Sequence, residues 1–207
     1  YMYYTAGGEF DKAFEVIKQT NPFPCSTGMI CDHTCQTKCT RINYDSPLLI
    51  REIKRFVSET QTNKKAEESN VKIFDQSSVL KGMKAIVPNY KKVSVIGAGP
   101  TGLSCAYFLR LAGFDVDIYE AKSKPGGMVS GAVPSFRLTN EAIETNIENI
   151  QALGVNIHFN RMITKDSFAD LYENSDYIYI AAGAQEAYKL NINGSDHKDV
   201  HDPLDFL

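Results

Sequence analysis

"VSVIGAGPTGLSCAYFLRLAGFDVDIYE", residues 93–120, decides the fold. An apolar run of strand length meets Gly97, Gly99 and Gly102, continues into a helix-length segment, and ends in a second apolar run closed by Glu120. G-x-G-x-x-G alone is weak evidence, but between a strand and a helix each glycine has a task. Gly97 makes the tight turn, Gly99 lets backbone approach a pyrophosphate, and Gly102 lets the helix pack closely on the strand. The first turn of that helix has N–H groups without intrahelical partners and the positive end of the dipole, both suited to phosphate. Glu120, eighteen residues past Gly102, is placed to accept ribose hydroxyls, and its charge opposes a 2′-phosphate. The plainer alternative is a tight turn with a surface glutamate in an ordinary α/β domain.

Outward from this stretch the pattern persists. "GVNIHF" and "DYIYIAAG" are further short apolar runs separated by helix-length segments, the alternation of a parallel α/β sheet. "AKSKPGGMVSGAVPSFRL", residues 121–138, adds a glycine pair at Gly126 and Gly127 just past the acidic residue, where backbone can approach the same extended ligand.

Upstream the character differs. Phe10, Ala13, Phe14 and Ile17 lie at helical spacing, and "NPFP" ends that helix, so the cysteine segment after it reads as a loop. "SPLLIREIKRFVSET" reads as a second amphipathic helix, with Ser46 as cap, Pro47 in the first turn, and Leu49, Ile53, Phe56 and Val57 on one face. "QTNKKAEESN" is either its exposed end or a linker. The expected division is a helical, cysteine-rich domain over residues 1–80, a connector over 81–91, and a Rossmann-like parallel sheet over 92–207.

Between the helices, "NPFPCSTGMICDHTCQTKCT" holds four of the five cysteines: Cys25, Cys31, Cys35 and Cys39. Bunched thiols in a chain with no basic-then-apolar leader suggest metal binding rather than a secreted disulfide framework. Four thiolates suit zinc or an iron–sulfur cluster, but C-x5-C-x3-C-x3-C matches neither the usual zinc pairs nor the ferredoxin run. Free thiols or a disulfide remain the structural alternative. Cys105, inside the loop helix, reads as a small buried residue. The net charge of -3 gives no reason to expect nucleic acid, and no run approaches the length needed to cross a bilayer, so a cytoplasmic protein is expected. A start without Met suggests a fragment. The four histidines are scattered and form no catalytic constellation with Ser or Asp.

The blocks "NPFPCSTGMICDHTCQTKCTR", "VIGAGPTGLSCAYFLRLAGFDVDIYEA", "PGGM", "VPSFRLTNEAIETNIENIQALGVNI" and "DYIYIAAGA", in that order, resemble the family of the glutamate synthase small subunit, the N-terminal half of dihydropyrimidine dehydrogenase, and selenate-reductase-like subunits. The resemblance implies that the loop holds FAD. Gly97, Ala98, Gly99, Pro100, Thr101 and Gly102 would form the pyrophosphate loop, and Glu120 and Lys122 would lie at the adenosine. Gly127 and Met128 would lie toward the flavin, Arg137 at the charged middle of the cofactor, Ile163 at the adenine, and Ala182 and Gly183 where the chain turns beside FAD.

The resemblance also implies [4Fe-4S] clusters. Cys31 and Cys35 would be ligands of one and Cys39 of another, with the remaining ligands outside this chain and Lys54 near a non-cysteine ligand position. NAD(P)H would bind in a domain outside these residues, and another domain or a partner subunit would receive the electrons. The expected function is an FAD-binding electron-transfer module of an NAD(P)H-dependent oxidoreductase, the piece alone having no turnover. The alternative is a zinc-binding interaction module fused to a nucleotide-binding α/β domain. A third reading, an NAD-dependent dehydrogenase using the glycine loop directly, is opposed by the PGGM segment.

Overall fold

The computed structural model describes residues 1–68, 85–188, 191–202 and 206. Helices come first: α1 (Met2–Ala6), α2 (Phe10–Lys18), α3 (Pro24–Ile30), α4 (Thr34–Thr37), a 3-10 turn (Thr40–Asn43) and α5 (Ile50–Glu68). The nucleotide-type layer follows as β1 (Lys92–Ile96), α6 (Pro100–Leu111), β2 (Asp115–Tyr119), α7 (Met128–Gly131), α8 (Asn140–Ala152), β3 (Asn156–His158), α9 (Lys165–Asn174) and β4 (Tyr177–Ile180). This is the expected class, a parallel Rossmann-like sheet preceded by helices. The boundary expected near residues 80–91 falls partly outside the described residues.

The described sheet has the order β3-β2-β1-β4, every pair parallel. The chain steps outward from β1 to β3, then returns to lay β4 on the other side of β1. Such a reversal opens a crevice at the carboxyl ends of the strands, where ligands of open α/β sheets bind. The loop after β1 therefore lies at the switch point.

Register decides which side chains meet. Val93 pairs with Val116 and Val95 with Ile118, so these four share one face. They are buried with Leu103, Ala106 and Tyr107 of α6 and Ile143, Ile147 and Ile150 of α8. Thr139 caps α8 by accepting the Ala142 N–H, and Thr164 forms a capping box with Ser167 at the start of α9.

On the opposite face Asp117 is nearly buried yet well supplied with partners. Its carboxylate meets Asn156 Nδ2 at 3.2 Å, His158 Nε2 at 3.1 Å and Lys92 Nζ at 3.2 Å, and the His158 ring stacks on Tyr119. Burial pushes the Asp117 carboxyl upward, but the bonds from His158, Asn156 and Lys92 outweigh it and hold the group below the usual carboxylate range.

The helical region departs from its expected form in two places. The cysteine segment is not a loop. The helix before NPFP does end, at Lys18, and Pro24 occupies the first turn of α3, where a missing N–H is harmless. The second long helix begins at Ile50, four residues after the expected cap at Ser46. Val57 is fully buried, whereas Leu49 and Phe56 are about half exposed, Phe56 packing edge-on against Phe10. That helix continues through Glu68, so much of the polar stretch is its far end.

Buried polar bonds tie the helices to the sheet layer. Asn146 of α8 has no exposed surface. Its Nδ2 donates to Ser26 Oγ at 2.7 Å and to the Ala142 carbonyl at 2.8 Å, and its Oδ1 accepts the Cys25 N–H at 3.4 Å. The Tyr107 hydroxyl donates to the Lys18 carbonyl at 2.9 Å, and burial pushes its pKa up to about 12. Cys25 itself belongs to the same apolar cluster as the strands.

Asn146→Ala removes the acceptor of the Cys25 N–H and the donor to Ser26 Oγ in a buried site and is expected to destabilise the fold by about 2–3 kcal/mol, against about 1 kcal/mol for Tyr107→Phe, both read from urea unfolding midpoints. The Asp117 carboxylate contributes stability above its unfolded pKa, and that contribution is lost as the pH falls through its lower folded value. Wild type is therefore expected to lose stability below about pH 3.8, and Asp117→Asn to flatten that acid limb, as read from unfolding at a series of pH values.

Candidate functional site

Three turns meet at the carboxyl ends of β1, β2 and β4. The first is the glycine loop. Gly97 leaves β1 at φ +103°, and a β-carbon there would lie 2.4 Å from the Ala181 carbonyl oxygen. A β-carbon on Gly102 would lie 2.0 Å from the Gly97 carbonyl oxygen and 3.2 Å from Val95 Cγ1. Both tasks read from the sequence, the tight turn and the close helix approach, are therefore present.

Gly99 is different. Its backbone is ordinary extended chain, and the nearest atom to a β-carbon there is the Gly127 Cα at 4.0 Å. The reverse approach is closer, since a β-carbon on Gly127 would lie 3.0 Å from the Gly99 Cα. Two loops distant in sequence thus present bare backbone to each other. They are stitched by one hydrogen bond, in which the Gly126 N–H donates to the Ala98 carbonyl at 2.7 Å. Neither this stitch nor its partner residue was legible from the sequence, although the adjacent glycines signalled an unusual turn.

Glu120 lies beneath the loop, 8% exposed. Its Oε2 accepts the Ala98 N–H at 2.7 Å and its Oε1 accepts the Lys122 N–H at 2.8 Å. Ala98 is fully buried, and both its backbone groups are committed within the protein. The Glu120 carbonyl accepts the Arg161 N–H at 2.8 Å and the Lys122 carbonyl accepts the Asn160 N–H at 3.1 Å, which brings the segment after β3 alongside. Asn160 adopts the left-handed region that Asn tolerates.

The other expected residues fall around this centre. Pro100 and Thr101 open α6 at the surface, and Pro100 occupies the first-turn position that suits proline. Lys122 and Arg137 are exposed, Met128 is 47% exposed at the start of α7, and Ile163 is half-buried beyond β3. Ala182 is close to Gly97 at the end of β4, and Gly183 turns the chain with φ +74°. The cradle of Gly97, Gly99, Gly102 and Gly127 fits an extended dinucleotide, since side chains at these positions would collide or fill the gap. Cys105 is half-buried, and burial pushes its thiol up, which keeps it protonated.

The cysteines are arranged otherwise. Cys25 is buried, Cys31 and Cys35 are exposed, and Cys39 is half-buried. Cys31 ends α3, Cys35 is within α4, and Cys39 precedes the 3-10 turn. His33, in the left-handed region at φ 45°, donates its N–H to Cys31 Sγ at 3.4 Å. Lys54 Nζ lies 5.2 Å from the centre of the Tyr1 ring, and burial together with the Cys35 thiol raises the Tyr1 pKa. Among the described residues no three His, Cys, Asp or Glu side chains converge on a point that could hold a metal ion. The donors suit iron–sulfur chemistry in kind, but this chain's described residues do not complete a centre by themselves. A self-contained tetrahedral zinc site is likewise not assembled among them.

Known proteins share both parts. Residues 1–66 match the family described as dihydropyrimidine dehydrogenase domain II, 4Fe-4S cluster, and residues 95–165 match the NAD(P)-binding Rossmann-like domain family. The beta subunit of an NADPH-Fe(3+) oxidoreductase from Geobacter sulfurreducens is 32% identical over 90% of this chain and 26% of its own length. The beta subunit of an NADP(+)-dependent formate dehydrogenase from Moorella thermoacetica is 34% identical over 91% of this chain and 28% of its own. The PreT subunit of an NAD-dependent dihydropyrimidine dehydrogenase from Escherichia coli O157:H7 is 31% identical over 96% and 45%. The chain thus spans about a quarter of the length of the first two relatives. No helix among the described residues is long and apolar enough to cross a membrane.

Gly102 and Gly99 separate packing from binding. Gly102→Ala, which forces a β-carbon onto the Gly97 carbonyl, is expected to destabilise the fold by about 3 kcal/mol. Gly99→Ala, entering open space, is expected to cost under about 1 kcal/mol in denaturant unfolding while its methyl group fills the gap facing Gly127 and weakens dinucleotide binding in a titration.

Proposed function

We propose, from the match of residues 1–66 to the dihydropyrimidine dehydrogenase domain II family and of residues 95–165 to the NAD(P)-binding Rossmann-like family, that the chain is the FAD-binding, iron–sulfur-linked module of an NAD(P)H-dependent oxidoreductase. The observation that carries the reading is the facing pair Gly99 and Gly127, bare backbone on two loops around one crevice at the switch point of the sheet. A dinucleotide spanning both loops makes use of that cradle, and FAD is the extended ligand that does so. FAD held in this crevice would supply hydride acceptance and single-electron transfer to iron–sulfur centres.

In this reading the first turn of α6 faces the pyrophosphate with the N–H groups of Thr101 and Gly102, and Gly97 shapes the approach. Glu120 and Lys122 serve the adenosine side, Ile163 the adenine, and Met128, Ala182 and Gly183 the wall toward the flavin. Arg137, exposed and with no ion pair among the described residues, supplies the charge for the phosphates. Cys31, Cys35 and Cys39 supply thiolates to [4Fe-4S] clusters whose other ligands lie outside the described residues. The cysteine-bearing helices form one functional part and the sheet layer from residue 92 the other. The nicotinamide site and the electron acceptor belong to further domains or partner subunits, in keeping with relatives described as subunits, and the protein works in the cytoplasm.

Purification without oxygen, followed by an absorption spectrum with flavin, iron and zinc quantified on one sample, tests this. One FAD per chain is expected. Stoichiometric zinc without flavin would replace the reading with the interaction-module alternative. Arg137→Ala is expected to weaken FAD binding about tenfold, the loss of one charge-assisted contact, with the unfolding midpoint unchanged.

A further inference from the structure

Glu120 poses a physical problem. It is a carboxylate, almost wholly buried, directly under a loop shaped to receive an anion. Like charges in such proximity oppose each other, so the position needs a compensating reason. The reason lies in its partners. Each oxygen accepts a backbone N–H, from Ala98 at 2.7 Å and from Lys122 at 2.8 Å. Bonds from backbone N–H to a carboxylate are short and stronger than neutral ones.

The effect on the loop is specific. The Gly97 N–H is held by the Tyr119 carbonyl at 2.8 Å, the Ala98 N–H by Glu120, and the Ala98 carbonyl by the Gly126 N–H at 2.7 Å. The Ala98 N–H thus points into the protein, away from a phosphate in the crevice. Without the carboxylate that buried N–H would have no acceptor, and the loop would turn to find one. A carboxylate offers about four lone-pair sites. Two are used by backbone, so acceptor capacity remains for a ribose hydroxyl.

We propose that Glu120 is a positioning residue of the phosphate loop, fixing the loops at Ala98 and Lys122 before the dinucleotide arrives, alongside its ribose contact. This rests on the dinucleotide reading above and adds a role that exists in the protein without ligand.

Two measurements on Glu120→Gln test it. In ligand-free, nitrogen-15-labelled protein, the Ala98 and Lys122 amide resonances are expected to move upfield, because an amide offers one acceptor oxygen where the carboxylate offers two. In binding titrations, an FAD analogue whose adenosine carries 2′,3′-dideoxyribose is expected to lose about tenfold in affinity, as FAD itself does, because a charged hydrogen bond that shapes the loop is gone. Amide resonances that stay in place, or an analogue bound equally by variant and wild type, would overturn the proposal and leave Glu120 a ribose ligand alone. Should Glu120→Gln fail to fold, Glu120→Asp carries both readouts, since it keeps the charge but falls short of the Ala98 N–H by one methylene. If wild type binds no FAD, the proposed function fails, while the amide resonances still decide the role of Glu120.

Discussion

The carbonyl oxygen of Gly97 occupies the space that a β-carbon at position 102 would need, and this one contact organises the sheet layer. It allows α6 to begin directly over the end of β1, with its first turn aimed along the crevice. From there Leu103, Ala106 and Tyr107 reach the strands, and α8 packs beside them. A looser turn would shift the helix outward and open the core beneath it. Ligand geometry and core packing are thus set by the same atoms.

A second tier of interactions joins the cysteine-bearing helices to that layer. Asn146 and Tyr107 each satisfy a buried polar group on the other side, and Cys25 contributes to the sheet's own core. Buried polar groups of this kind contribute little net stability when paired, but they penalise any other docking angle. The α3 helix is therefore held in a defined pose, and Cys31 at its end inherits that pose.

Much of this was readable in the chain itself because the signals are local. The glycine loop, the alternation of strands and helices, and the buried stripe Ala13, Phe14 and Ile17 all follow from short-range pattern. What escaped depends on contacts between distant segments. The cysteine segment reads as a loop, whereas Pro24 opens α3, which packs against α5 and α8. Ser46 has the composition of a cap but lies three residues before the cap position of a helix that begins at Ile50, and the pattern of Leu49 and Phe56 does not reveal which side is covered. The role of Glu120 was half visible: an acid in the right place suggested ribose, but its two backbone partners emerge only once the loop is folded over it. The thiol spacing matches no self-contained centre, and the positions of Cys31, Cys35 and Cys39 relative to one another depend on how α3 and α4 fold.

The tie between Asn146 and Ser26 also has a kinetic consequence. Its partners are separated by 120 residues, and those of the Tyr107 bond by 89. Contacts of such range close late, after the intervening chain has paid its loop entropy. During synthesis the segment from Cys25 to Cys39 leaves the ribosome long before α8 exists to receive it, so at first α3 has only α5 to pack against and Cys25 lacks its place in the core of the sheet layer. The pose of α3, and with it the position of Cys31 at its end, is therefore completed only after the sheet layer has folded.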